Sequence, residues 1–208
     1  MARMIPPNYS PKTPAGEKDL FNKLRDDPDT AGWVVLHSLD IRKHLSKIEG
    51  ELDMLVLAPG LGVLCLEVKG CDVSRQQGKW IYPYETSIEG PFKQVSKAMH
   101  SLRKYLVERD CSLSGILFFS AVVFTKVDFH EESPEWHPWQ YINRKLFIRH
   151  PISFNISKIF EHAHEHVKGI TGQYSWYNEN GSRPTEWQIR RMMNILRKDF
   201  EYAVLPRH

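Results

Sequence analysis

The sequence predicts a mixed α/β fold in which helices flank a central sheet, in the order helix, strand, two hairpin strands, helix, strand (αβββαβ), with a C-terminal helical extension. Three observations support this prediction. Residues 51–70 contain two apolar runs on either side of a Pro/Gly turn, which is typical of a β-hairpin. Residues 112–125 form another apolar run of strand length. Amphipathic helical patterns precede the hairpin and separate it from that last strand.

The overall composition is that of an ordinary globular protein. The chain has 208 residues, which is enough for one sizeable hydrophobic core. Its net charge of +3 is mildly basic, which is compatible with a phosphate-bearing partner without indicating one. Three cysteines, an odd number, favour reduced thiols and a cytoplasmic protein over a disulfide framework. No run approaches the ~20 apolar residues of a membrane span, so we expect no membrane partner.

The N-terminal region predicts an arm followed by a helix. Residues 1–12, rich in proline and polar side chains, are expected to form an extended arm. Thr13 and Pro14 suit the N-cap and first position of a helix that ends before Pro28. Glu17 shares a face with the apolar stripe, where an acid is costly to bury unless it is paired or near a metal. An exposed first-turn Glu, favoured by the helix dipole, is an equal alternative. The stripe consists of Leu20, Phe21 and Leu24.

A predicted strand over residues 33–39 is followed by a basic segment that leads into the hairpin. Such segments are most often solvated loops, but this one enters the hairpin and can contact a nucleic-acid backbone. Its candidate nucleic-acid-binding residues are Arg42, Lys43 and Lys47.

The hairpin carries the candidate active site. Pairing of Leu57 with Val63 sets a register in which Asp53 lies opposite Glu67. Directly opposed Cβ atoms are roughly 4.5–5.5 Å apart, and two carboxylates at that separation repel each other. A bound divalent cation removes this repulsion, since Mg²⁺ is commonly held by one or two carboxylates and phosphate oxygens. Lys69 lies on the face of Glu67, where it can meet a phosphate or a metal-bound water.

The alternative is a solvated hairpin end at which charges simply pair, Glu51 with Lys69. Charged strand ends are common, so the spacing alone does not decide between a metal site and an exposed ion pair. After the hairpin, the sequence predicts an irregular aromatic segment in which covering the core is favoured over stacking on bases. Its aromatic residues are Trp80, Tyr82 and Tyr84.

A second helix begins at Pro91 and exposes Lys93 and Lys97. Gln94 lies near its N-terminal end, where backbone N–H groups attract anions, although a single Gln there is most simply an ordinary helix residue. The buried stripe of this helix is predicted to be Phe92, Val95, Met99, Leu102 and Leu106.

Residues 126–150 give no indication of a role, and within them residues 145–150 are a candidate edge strand. A helix over residues 157–167 contains His162 and His166 at a spacing found in zinc sites. No third or fourth zinc ligand is evident, so a solvated helix face is favoured.

The chain ends in a predicted helix capped by Thr185, after a polar connection over residues 172–184. Its apolar stripe either docks on its own domain or forms a joint to an absent module. The stripe consists of Ile189, Met192, Met193, Leu196 and Phe200.

The polar pattern of the hairpin, Asp53 followed after thirteen residues by Glu67-x-Lys69, resembles the PD-(D/E)xK nuclease signature. More narrowly, residues 50–70, GELDMLVLAPGLGVLCLEVKG, resemble the core of the nuclease-related domain (NERD) family. This likeness covers both strands, the turn and the polar residues together.

The flanking helices extend the resemblance over roughly residues 14–125. The pair Gly16-Glu17 matches a Gly-Glu pair that recurs on the first helix of the family. The segment from Pro91 to Gln94 is similar to the family's Pro-x-x-Gln helix, although Gly90 stands where many relatives have Asn before the proline.

The resemblance implies a restriction-endonuclease-like core and a Mg²⁺-dependent endodeoxyribonuclease, with Mn²⁺ able to substitute. The implied catalytic residues are Glu17, Asp53, Glu67, Lys69 and Gln94, and the implied metal ligands are Asp53, Glu67, the Val68 carbonyl and Glu17. We expect little sequence specificity, because the chain has no recognition helix or finger motif and binding would rest on backbone charge. Lys93 and Lys97 join the basic segment as candidate DNA contacts.

Relatives with this second helix are often followed by a superfamily-1 helicase, which implies the nuclease module of a larger nuclease-helicase acting in DNA processing or defence. No Walker A motif occurs in this sequence. The expected organisation is an arm over residues 1–12, a nuclease-like domain over 13–170, and a linker with the C-terminal helix over 171–208. The alternative function is a non-catalytic nucleic-acid-binding or docking module that retains the fold.

Overall fold

The computed structural model describes residues 1–37, 52–171 and 178–201, and its centre is a six-stranded mixed sheet. Strands β1 to β4 are Arg3–Ile5, Val34–His37, Met54–Ala58 and Gly62–Lys69. Strands β5 to β7, which form a separate small sheet, are Ser74–Gln76, Lys79–Ile81 and Thr86–Ser87. Strands β8 and β9 are Phe118–Phe124 and Tyr141–Ile142, and the order in the main sheet is β1-β2-β3-β4-β8-β9.

Helices flank this sheet, as the sequence predicts. Their bounds are α1 Ala15–Asp26, α2 Pro91–Arg109, α3 Arg144–Arg149, α4 Ile152–Thr171 and α5 Glu186–Glu201. The predicted αβββαβ core is therefore confirmed as α1, β2, β3, β4, α2 and β8. Strands β4 and β8 are parallel, and the connection between them carries α2, as parallel neighbours require a long crossover.

The hairpin has the predicted register, with Leu57 paired to Val63. Its turn is held from outside: the N–H of Gly60 donates to the Pro184 carbonyl at 2.8 Å, and a His164 ring nitrogen lies 2.8 Å from the Leu61 carbonyl. A one-residue slip would exchange the two faces of each strand, so this register determines which side chains point to which helix layer.

Two hydrophobic clusters cover the two faces of the sheet. One contains alternate strand residues such as Leu55, Cys65 and Val122 and is covered by α2 and α5. The other contains the intervening residues, such as Val56 and Leu64, and is covered by α1 and α4. Because Glu67 and Lys69 alternate in step with Cys65, they lie on the α2 face.

The arm predicted for residues 1–12 contains strand β1, which pairs in parallel with β2. The edge strand predicted over residues 145–150 is wrong, because this segment is helix α3. The Asn143 side chain caps that helix by accepting a hydrogen bond from Leu146 N at 3.0 Å. The edge position is taken instead by β9, which pairs in parallel with β8.

The C-terminal helix is docked on the domain. Thr185 and Gln188 form a capping box, in which Thr185 Oγ1 accepts from Gln188 N at 3.2 Å and Gln188 Oε1 accepts from Thr185 N at 2.9 Å. Its predicted apolar stripe is buried in the hydrophobic cluster that α2 covers, as far as the structure describes its side chains. These buried residues are Ile189, Met192, Met193 and Leu196. The Phe200 side chain is not among those described.

Within the described ranges, no helix is both long enough and apolar enough to cross a membrane. All three cysteines are described, and each is a free thiol.

Helix α1 reaches the end of strand β4 through a backbone contact between two glycines. A Cβ atom added at Gly16 would lie 2.8 Å from Gly70 Cα and 2.9 Å from Thr125 Oγ1. Glycine is therefore required at position 16 for this approach of helix to strand. The contact places the first turn of α1, which contains Glu17, beside the end of the hairpin.

We expect Gly16→Ala to destabilise the fold by about 1–3 kcal/mol, because the added methyl group overpacks the contact with Gly70. The matched control is Gly169→Ala in α4, where an added Cβ meets no atom within 4 Å. That change should stabilise the protein by up to about 1 kcal/mol through helix propensity. Urea unfolding measures both values, and equal stabilisation by the two changes would contradict the packing constraint.

Candidate active site

Glu67 is a carboxylate buried inside an otherwise apolar strand. Strand β4 is paired on both sides, and Glu67 is only 1% exposed. A carboxylate is rarely buried this deeply unless it is paired, because the loss of hydration is costly. Here Lys69 Nζ donates to Glu67 Oε1 at 2.7 Å. The prediction that these side chains share a face agrees with this geometry.

Lys69 is held as an ammonium. Burial acts to lower the pKa of Lys69, but the neighbouring carboxylates Glu67 and Asp53 and the Tyr82 hydroxyl outweigh it, so the pKa is raised above its ordinary value. A lysine in this state is a hydrogen-bond donor and a positive charge at neutral pH. It is therefore suited to stabilising negative charge and not to accepting a proton.

Asp53 is anchored to strand β4 by its carboxylate. It lies one residue before β3, and its N–H donates to the Leu66 carbonyl at 3.1 Å. Its Oδ2 accepts from the backbone N–H of Val68 at 2.7 Å. The N–H and C=O of one strand residue point to the same neighbour, so the Val68 carbonyl faces the side on which Asp53 lies. The structure thus brings Asp53, Glu67, Val68 and Lys69 together at the end of β4.

Glu17 and Gln94 lie in the first turns of helices that cover opposite faces of the sheet. Glu17 is half-buried in the first turn of α1, next to the contact of Gly16 with Gly70. Gln94 is half-buried in the first turn of α2, the helix that covers the face of Glu67. Among the described residues, no partner meets the buried Gln94 Oε1 atom. An unsatisfied buried acceptor of this kind indicates room for a bound water or ligand donor.

Tyr82 is a site residue that the sequence did not identify as one. Lys69 Nζ lies 5.5 Å from the centre of its ring. Burial raises the pKa of Tyr82 to about 12, with Lys69 acting to lower it and Glu67 to raise it. The sequence placed Tyr82 in an aromatic segment, and no spacing rule connects that segment to the end of β4.

The donor set fits a hard divalent cation. In the described part of the chain, no group of three or more His, Cys, Asp or Glu side chains is arranged to hold a metal ion. Mg²⁺ does not require such a group, since it commonly binds one or two carboxylates and keeps waters and substrate phosphate as its other ligands. Asp53 and Glu67, with the Val68 carbonyl, supply oxygen ligands of this kind. The His162–His166 zinc alternative receives no support from the described residues, because His162 is exposed and its Nδ1 lies 3.6 Å from a Glu165 carboxylate oxygen.

The predicted nucleic-acid-binding residues are divided. Arg42, Lys43 and Lys47, like Glu51, lie outside the described residues. Lys93 and Lys97 are exposed on α2, where Lys97 forms an ion pair with Glu89 at 2.6 Å.

Lys93 and Lys97 line a groove of about 910 Å³ that also contains His137, Trp139 and His166. Of the described residues that line it, none belongs to the five predicted catalytic residues. The groove is therefore separate from the carboxylate site. Lys93 and Lys97 line it and Gln94 does not, although all three residues lie in the first two turns of α2.

We expect Lys69→Met to lower the free energy of unfolding by about 3 kcal/mol near neutral pH, because it leaves a buried carboxylate without its ammonium. The pKa of Lys69 is raised in the folded state above its ordinary value of 10.5, so this stabilisation is fully present below about pH 10.5 and is lost as the pH rises through the folded value. Urea unfolding between about pH 8 and 11.5 should show the difference from the native protein shrinking at alkaline pH.

The matched control is Lys158→Met, which removes an exposed lysine that pairs with Glu161 at 2.6 Å. It should change the unfolding free energy by less than about 0.5 kcal/mol. A Lys69→Met protein as stable as this control would contradict the buried ion pair.

A known protein family matches the part of the chain that contains the candidate active site. The nuclease-related domain (NERD) family matches residues 12–125, more than half of the 208 residues. No curated protein and no solved structure matches the chain. The match includes α1, the hairpin, α2 and β8, and with them all five predicted catalytic residues. On this evidence the chain belongs to the nuclease-related domain family.

Proposed function

We propose that this protein is a divalent-metal-dependent nuclease that hydrolyses DNA phosphodiester bonds with little sequence specificity. The observation that carries the proposal is the buried Glu67–Lys69 pair, 2.7 Å apart, on a strand that also binds the Asp53 carboxylate. Membership of a nuclease-related family supports a nucleic-acid substrate. Charges withdrawn from water are costly for folding, so a fold that keeps one buried and two half-buried charges at one strand end is more consistent with chemistry than with stability alone.

Each residue has a role that follows from its chemistry. Asp53, Glu67 and the Val68 carbonyl are the proposed ligands of Mg²⁺ or Mn²⁺, with Glu17 at the edge of the site. When bound, the metal polarises the phosphate and lowers the pKa of a coordinated water. Lys69 stabilises the negative charge that develops on the phosphate. Gln94 positions a water or phosphate through its amide.

Binding of the DNA is proposed to rest on backbone charge. Candidate contacts are Arg42, Lys43, Lys47, Lys93 and Lys97. Binding through phosphate contacts weakens steeply as salt concentration rises and does not depend on base sequence. We further propose a cytoplasmic enzyme that works as the nuclease module of a nuclease-helicase in DNA processing or defence.

The proposal is tested by the nicking of supercoiled plasmid DNA in the presence of Mg²⁺ or Mn²⁺. Asp53→Asn and Glu67→Gln should each lower the nicking rate by about 100-fold or more, because each removes one charged metal ligand without changing side-chain shape. Lys69→Met should lower it by about 100- to 1,000-fold through loss of charge stabilisation.

The control is Glu161→Gln, which removes an exposed carboxylate on α4 and should leave the rate unchanged. Thermal unfolding of each variant shows whether the fold is retained. DNA binding without metal-dependent nicking by the native protein would favour the non-catalytic module instead.

A further inference from the structure

Tyr82 is fixed rigidly beside the site. It follows strand β6 in the small sheet between β4 and α2, and its N–H donates to the Glu85 carbonyl at 2.9 Å. Trp80, two residues earlier, is 1% exposed and stacks with Phe129 at a centroid distance of 5.8 Å. Tyr84, two residues later, is fully exposed. The tyrosine at position 82 therefore points inward from an anchored segment.

The Tyr82 hydroxyl is a buried polar group whose bonding capacity is unused. No hydrogen-bond partner for it exists among the residues that the structure describes. Buried hydroxyl groups are normally hydrogen-bonded, and an unsatisfied one lowers stability. Such a group in a native protein calls for an explanation, and one explanation is a partner in a second state of the molecule.

The obvious partner is already close. Lys69 Nζ lies 5.5 Å from the centre of the Tyr82 ring, and the charge of Lys69 acts directly on the hydroxyl. An ammonium has three donor hydrogens on a flexible four-carbon chain. In the present structure this ammonium donates to Glu67 Oε1. Its flexible chain allows the ammonium to turn from that carboxylate toward the tyrosine.

Such an exchange is favoured when a divalent cation binds Glu67. A dication on this carboxylate repels an ammonium that lies 2.7 Å from one of its oxygens. The displaced ammonium is buried with only 16% of its side chain exposed, so it needs another acceptor inside the protein. The same displacement frees its hydrogens to face a phosphate.

We propose that the Tyr82 hydroxyl accepts the Lys69 ammonium when Glu67 binds a divalent cation, which makes Tyr82 a positioning residue that holds Lys69 beside the reacting phosphate. This inference rests on the proposed metal-dependent function. It gives the Lys69 side chain a second position, which is occupied when the metal is bound. It explains both the burial of the hydroxyl and its lack of a partner while Lys69 remains on Glu67.

The test is Mn²⁺ binding by isothermal titration calorimetry near neutral pH without DNA. Tyr82→Phe keeps the ring and removes only the oxygen, so it should weaken Mn²⁺ binding about tenfold while leaving the melting temperature of the metal-free protein unchanged or higher. Tyr84→Phe, the matched control at an exposed tyrosine, should change neither. Lys69→Met should bind Mn²⁺ more tightly than the native protein, because no ammonium has to be displaced.

A double-mutant cycle shows whether Tyr82 affects Mn²⁺ binding through Lys69. In the Lys69→Met background, Tyr82→Phe should change Mn²⁺ affinity by less than about twofold, since the group that it serves is absent. Additive effects would overturn the proposal, as would equal Mn²⁺ affinities of Tyr82→Phe and Tyr84→Phe. A loss of metal-free stability in Tyr82→Phe would also overturn it, because the hydroxyl would then have a structural partner.

These measurements are independent of DNA cleavage. If the native protein binds Mn²⁺ but does not nick plasmid DNA, the nuclease proposal fails, and the Tyr82 comparison still decides the role of the hydroxyl. If the native protein binds no Mn²⁺, the positioning role is overturned, and the plasmid assay decides separately on cleavage.

Discussion

The ion pair between Lys69 and Glu67 is the interaction on which the site depends. Strand β4 is central in the sheet and helices cover both of its faces, so its side chains have no direct access to bulk water along most of its length. Two opposite charges are tolerated there because the carboxylate and the ammonium lie 2.7 Å apart and offset each other. The pair therefore raises the pKa of the lysine and balances the charge of the carboxylate in an apolar layer.

The rest of the architecture holds other groups against this pair. The backbone N–H of Val68 binds the carboxylate of Asp53, which extends the site from β4 toward β3. The approach of Gly16 to Gly70 brings the first turn of α1 to the same strand end. Helix α2, the connection between the parallel strands β4 and β8, covers the face of Glu67 and carries Gln94 in its first turn. The contacts of Asp53 and Gly16 use the backbone or a short side chain, which leaves these two groups little freedom to shift.

The small sheet of β5 to β7 adds an element that the αβββαβ core lacks. Its Trp80 is buried among the aromatic rings of Phe92, Phe129 and Trp136, and this packing fixes the direction of Tyr82. The insertion therefore connects the aromatic part of the core with the charged end of β4. A lysine between a carboxylate and a phenol has two acceptors of different charge, which is a physical basis for two lysine positions.

The sequence by itself determined the hairpin register, the stripes of α1, α2 and α5, and the common face of Glu67 and Lys69. These are local properties: side-chain alternation and helical periodicity act over a few residues, and the turn at Gly60 limits how the two strands can pair. Even the capping box of Thr185 with Gln188 follows from four consecutive residues.

Tertiary structure alone decided the features that join distant segments. Residues 145–150 have the composition of a strand, yet the Asn143 cap and the burial of Phe147 make them a helix. The closeness of Tyr82 to Lys69, the contact of Gly16 with Gly70 and the separate groove at Lys93 and Lys97 all depend on how the elements pack together. No pattern within one segment encodes these distances, because they follow from packing between residues that lie far apart in the chain.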